Sequence, residues 1–137
     1  MSETVQIKTP WLASKDPEVP STLNYSTLSM CGRVEEMVRQ YPNYIAYEFM
    51  GKTTTYAEMW QKINACAKSL KAIGIREGDK VTICMPNAPQ TLCMFYAVNM
   101  VGAIANMVHP LSAESEISFY LRDSNSVAAI TLDQFYP

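Results

Sequence analysis

The chain has 137 residues, of which 48% are hydrophobic and 18% charged, with a formal net charge of -2. That length and composition suit one globular domain with one sizeable core and exclude a disordered chain. Without a basic excess there is nothing to neutralise a nucleic-acid backbone or grip an anionic membrane surface, so neither is an expected partner.

Residues 1–25 read as an extended N-terminal arm. Pro10, Pro17 and Pro20 interrupt it, and Met1 to Pro20 contains no apolar run of signal-peptide type. The elements are expected within residues 26–137. From Ser26 the pattern is helical, with Leu28, Val34, Met37 and Val38 near one face. The residue before a proline is pushed out of the helical region, so Pro42 sets the limit of this helix. Tyr44 to Met50 and Thr53 to Thr55 are rich in β-formers and flank Gly51-Lys52, which predicts a hairpin turning at that pair.

Thr55-Tyr56-Ala57-Glu58 has the spacing of a capping box, and Met59, Ile63, Ala67 and Leu70 follow at helical intervals up to Gly74. Lys80 to Met85 then reads as a short strand. A helix from Ala88 to Val101 is apolar nearly all round and should be buried on several sides. Ala103 to Val108 is a second strand, Ser112 is expected to cap a third helix with face Ile117, Tyr120 and Leu121, and Val127 to Thr131 is a third strand. The fold class is therefore α/β: a parallel βαβαβ sheet with flanking helices, preceded by a helix and a β-hairpin.

Leu92 to Val108 is the longest apolar run, broken by Asn99, Asn106 and Gly102, and falls short of the roughly 20 residues a membrane span needs. Cys31, Cys66, Cys84 and Cys93 form no CxxC pair, so no zinc site is expected, and Cys66 and Cys84 read as small buried hydrophobes. Reduced thiols of this kind indicate the cytoplasm. Met94 and Met100 read as core.

Candidate chemistry is sparse. The turn Met85-Pro86-Asn87-Ala88-Pro89 follows a parallel strand, where nucleotides often bind, but two prolines remove donors and no glycine lets a pyrophosphate approach. No Walker A motif and no Gly-x-Ser-x-Gly elbow occurs. His109, the single histidine, follows a strand, and its plain reading is a loop residue bonded to nearby backbone. Glu35, Glu36 and Glu48 are possible acid–base groups, but helix neighbours do not face each other, and all three read as solvated charge.

The order of motifs says more than any one of them. Tyr41-Pro42 precedes a strand and Thr55-Tyr56-Ala57-Glu58-Met59 opens a helix. Gly74-Ile75-Arg76-Glu77-Gly78-Asp79-Lys80-Val81 leads into the next strand. Met85-Pro86-Asn87, Val101-Gly102-Ala103 and Leu121-Arg122-Asp123-Ser124 follow in turn. Over roughly Pro20 to Thr131 this succession resembles the start of the adenylate-forming superfamily, which includes acyl-CoA synthetases, luciferases and the adenylation domains of peptide synthetases. Met85-Pro86-Asn87 before an apolar helix is most similar to the acyl-CoA synthetases. The sequence departs from that pattern at Met100-Val101-Gly102, where lysine-alanine-glycine is frequent, and at His109, where asparagine or aspartate is common.

The resemblance implies a partial N-terminal subdomain of an acyl-CoA synthetase, structural and inactive alone. The complete enzyme would use ATP, Mg and CoA to turn a carboxylate into an acyl-adenylate and then a thioester. No catalytic, cofactor-binding or metal-binding role falls on any residue of this chain. The expected partner is the rest of the parent chain, with self-association through the apolar helix Ala88 to Val101 when alone. Two rivals remain: a self-contained small α/β module binding a ligand or protein, which needs both sheet faces covered by this chain, and a small enzyme using His109.

Overall fold

A computed structural model describes residues 9–135. Residues 1–8 of the expected arm lie outside the described residues; within the remainder, Pro10–Ser14 makes one 3-10 turn that buries no side chain. Helix α1 (Met30–Gln40) starts at Ser29, whose hydroxyl accepts from the Gly32 N–H at 3.1 Å. A second cap comes from far along the chain: the Asn99 side-chain oxygen accepts from the Cys31 N–H at 3.0 Å.

Strands β1 (Ile45–Phe49) and β2 (Lys52–Thr55) pair antiparallel, with Phe49 opposite Lys52. The two-residue loop is therefore Met50-Gly51, one position earlier than the sequence suggested. Both residues have positive φ, 50° and 76°, which matches the right-handed strand twist. Helix α2 (Tyr56–Ala72) begins with the full capping box: Thr55 Oγ1 accepts from the Glu58 N–H at 3.3 Å, and the Glu58 carboxylate accepts from the Thr55 N–H at 2.8 Å.

Strands β3 (Lys80–Cys84), β4 (Ile104–Val108) and β5 (Ala128–Thr131) form a parallel sheet in the order β4-β3-β5. Helix α3 (Pro89–Val101) joins β3 to β4, and α4 (Glu114–Asp123) joins β4 to β5. The two crossovers run in opposite directions along the sheet, so right-handed connections put α3 and α4 on opposite faces. On the α3 face Val81 and Ile83 meet Ile63, Ala97 and Val98 in one apolar cluster, with α2 packed along α3. Met94 and Met100 pack against that cluster as expected. Gly102 ends α3 with φ 84°, and a Cβ there would sit 3.1 Å from the Glu77 side chain, so glycine serves both the turn and the close approach.

Two expectations are corrected. The cap of α4 is Ala113, not Ser112: the Glu116 carboxylate reaches back to the Ala113 N–H at 3.1 Å, and alanine has no side-chain oxygen to return the bond. Helix α3 is also covered by this chain's own α1, α2 and sheet, with only Leu92 among its large apolar side chains exposed. Exposed apolar groups lie elsewhere, among them Ile104 and Met107 on β4 and Leu111, Phe119 and Tyr120 around α4.

Cys31, Cys84 and Cys93 are buried and Cys66 half-buried, all as free thiols. Burial pushes each of the four above the ordinary thiol pKa, with Glu35 adding to the effect at Cys31. A raised thiol pKa suppresses the reactive thiolate. Native chain should therefore react slowly with a thiol-specific disulfide reagent at neutral pH and release all four equivalents only on denaturation; four fast equivalents from native protein would contradict this core.

The capping box gives a second expectation. Thr55→Ala should cost about 1 kcal/mol in urea unfolding, and Thr55→Ser should restore most of it. The bond from the Thr55 N–H holds the Glu58 carboxyl below the ordinary carboxylate range, with the Thr55 hydroxyl helping. A depressed folded pKa gives stability that is present above the unfolded value and lost as pH falls through the folded one. Urea midpoints should thus drop on acidification, less steeply in Glu58→Gln.

Candidate functional site

A cleft of about 490 Å³ lies between the hairpin and the first half of α3. Tyr47 and Phe49 of β1 form one wall; Leu92, Phe95 and Tyr96 of α3 form the other, with Met107 of β4 at the base. Strand alternation and helical spacing together produce this lining: positions 47 and 49 share one strand face, and positions 92, 95 and 96 share one helix face. Phe95 and Tyr96 meet edge to face, their centroids 5.4 Å apart. Glu48 and Asn87 supply polar groups. The lining is mostly apolar and aromatic.

The start of α3 explains the shape of one end of this cleft. Pro89 occupies the first helical position, where a missing N–H costs nothing. The Thr91 hydroxyl, buried, donates to the Pro86 carbonyl at 2.6 Å and closes the turn after β3. Two of the five residues of that loop, Pro86 and Pro89, have no main-chain N–H.

The other sequence candidates are dispersed. His109 lies exposed after β4, and its Nδ1 accepts from the Leu111 N–H at 3.2 Å, the local backbone bond expected of a loop histidine. Glu35 pairs with Arg39 at 2.5 Å and Glu36 with Arg33, all on α1. Glu48 is exposed on the hairpin, away from both. Among the described residues, no three His, Cys, Asp or Glu side chains gather as a metal site, and no helix is long and apolar enough to cross a membrane.

Sequence reasoning missed a polar chain on the other face of the sheet. Asn106 Nδ2 donates to Thr82 Oγ1 at 2.9 Å, Thr82 Oγ1 lies 2.7 Å from Ser126 Oγ, and Ser126 Oγ lies 2.8 Å from Ser124 Oγ. The available signal was a threonine between Val81 and Ile83 and an asparagine inside an apolar strand.

Comparison with known proteins gives these features a context. The sequence pattern of the family described as AMP-binding enzyme matches residues 34–136. A long-chain-fatty-acid–CoA ligase of Bacillus subtilis is 30% identical over 133 residues, 97% of this chain and 24% of the relative. The long-chain-fatty-acid–CoA ligase FadD13 of Mycobacterium tuberculosis is 42% identical over 76 residues, 56% of this chain and 15% of the relative. Among solved structures, the N-terminal domain of FACL13 from M. tuberculosis superposes with a TM-score of 0.69 at 35% identity, over 72% of this chain and 25% of that one. The NpsA N-terminal subdomain of Klebsiella oxytoca, at 24% identity, shares the fold with a TM-score of 0.73, over 76% of this chain and 27% of that one. The chain thus spans about a quarter or less of the curated relatives just named. With a parallel β4-β3-β5 sheet, helices on both its faces and a family match over most of its length, this chain belongs to the AMP-binding, adenylate-forming enzymes and corresponds to part of the N-terminal domain of their acyl-CoA ligases.

Proposed function

We propose that the chain is a structural portion of an ATP-dependent acyl-CoA ligase, inactive by itself. The observation that carries this reading is the match to a long-chain-fatty-acid–CoA ligase over 97% of the chain but 24% of the relative. In the whole protein a carboxylate would attack the α-phosphate of ATP, releasing pyrophosphate, and the CoA thiol would then displace AMP. Several groups on this chain that could move protons are occupied locally: Glu58 in a helix cap, Glu35 and Glu36 with arginines, His109 with backbone, while Glu48 stands exposed at the cleft. The turn after β3 does not fit a triphosphate, so in this proposal ATP, Mg and CoA are held by the rest of the parent protein. Four free thiols support a cytoplasmic setting.

The role left to this chain is mechanical. Parallel sheets are ordinarily covered on both faces and extended at their edges. Here β4 is an edge strand with Ile104 and Met107 exposed, and the hairpin cleft stands open beside it. We assign these surfaces to contact with the remainder of the parent chain. The reading as a self-contained binding module is not favoured, because it needs both sheet faces covered, and the α4 face leaves Ile104 exposed.

The test begins with the source gene beyond the codon for Pro137. An extended product should exchange pyrophosphate into ATP when given a fatty acid, and the 137-residue chain should not. Exchange by the short chain would overturn its inactivity; none by the extended product would overturn the ligase reading. The short chain alone should also self-associate through its exposed apolar groups. Sedimentation showing a strict monomer at high concentration would remove that expectation.

A further inference from the structure

Helix α4 is attached differently from its neighbours. It buries no residue, whereas α2 buries Met59, Ile63, Ala67 and Leu70. Ile117 and Leu121 are only half-buried, and Tyr120, expected on the same buried face, is exposed together with Phe119. Beyond the backbone bond from the Val127 N–H to the Lys80 carbonyl at 2.8 Å, what joins its C-terminal end to the sheet is the hydroxyl chain through Thr82, a residue with 0% exposure at the centre of β3.

Counting hydrogens fixes the direction of that chain. Asn106 Nδ2 can only donate, so Thr82 accepts there. The Ser124 hydroxyl donates to the Leu121 carbonyl at 3.3 Å, which can only accept. Ser124 has then spent its one proton and must accept from Ser126. Ser126 has spent its own and must accept from Thr82. Every hydroxyl gives one bond and takes one, in the order Asn106 to Thr82 to Ser126 to Ser124 to Leu121. Losing any member leaves a neighbour unpaired in a partly dry place, a cost larger than the bond itself.

We propose that α4 opens from the sheet as a unit of its own, latched by this hydroxyl chain, while α2, α3 and β3 stay closed. Opening would uncover the second face of the sheet around Thr82 and Cys84. The proposal rests on hydrogen bonding and burial alone and is independent of the ligase reading.

Hydrogen exchange of the native 137-residue chain tests it, read by mass spectrometry on peptides from α3 and from Ile117 to Ser126. The α4 amides should exchange faster than those of α3. Thr82→Val, which keeps the shape and removes the hydroxyl, should speed α4 and its following turn about tenfold and leave α2 and α3 unchanged. Thr82→Ser should restore the original rates. Should Thr82→Val not fold, Ser126→Ala breaks the same link at a half-buried position and must give the same local acceleration. The proposal is overturned if α4 exchanges only together with α3, if the variants change nothing, if they speed all helices alike, or if Thr82→Ser opens α4 as much as valine does.

Discussion

Strand β3 pairs on both sides, with β4 through five residues and with β5 through four, and no other strand described here has two partners. Val81, Thr82 and Ile83 are closed to solvent from every direction. The apolar residues on one face seat α2 and α3; Thr82 on the other seats the polar chain beneath α4. Because both crossovers begin or end beside this strand and must be right-handed, its central place is also what separates α3 from α4. A polar residue facing α3 in β3 would therefore disturb every layer at once, while a change at β5 would reach only an edge.

The two faces differ in how they are held. On one, apolar area removed from water binds two helices tightly. On the other, a line of hydroxyls does the joining and leaves aromatic groups outside. Apolar packing is non-directional, whereas a chain of hydroxyls in which each proton is already assigned loses a bond when any member moves away. The sheet thus has one side held by close apolar packing and one side held in part by directed hydrogen bonds.

Local signals in the sequence carried well. Thr55 and Glu58 announced the α2 cap because their spacing alone sets that geometry, and the all-round apolar character of Pro89 to Val101 announced a buried helix. The hairpin turn was misplaced by one residue because Gly51-Lys52 looks like the turn, while Met50 has no composition that signals its positive φ. The α4 cap was misplaced for a different reason. Ser112 is the better capping residue, but Glu116 stands three after Ala113, and the carboxylate's reach decided the boundary. Strand order, the hairpin cleft and the Thr82 chain were not legible, since each depends on which segments meet across the fold. The covering of α3 by this chain's own α1 and α2 was missed on the same account.

The bond from Asn99 to the first turn of α1 also bears on when the pieces can form. Its two ends are 68 residues apart in sequence. At ribosomal rates of 5–20 residues per second, Asn99 is made roughly 3 to 14 seconds after Cys31. Through that interval α1 has its local serine cap but neither its distant one nor the helix against which Cys31 is buried. Helix α1 can thus pack on α2 as soon as α2 is made, but its second cap and the α3 side of its seat are completed only when α3 arrives.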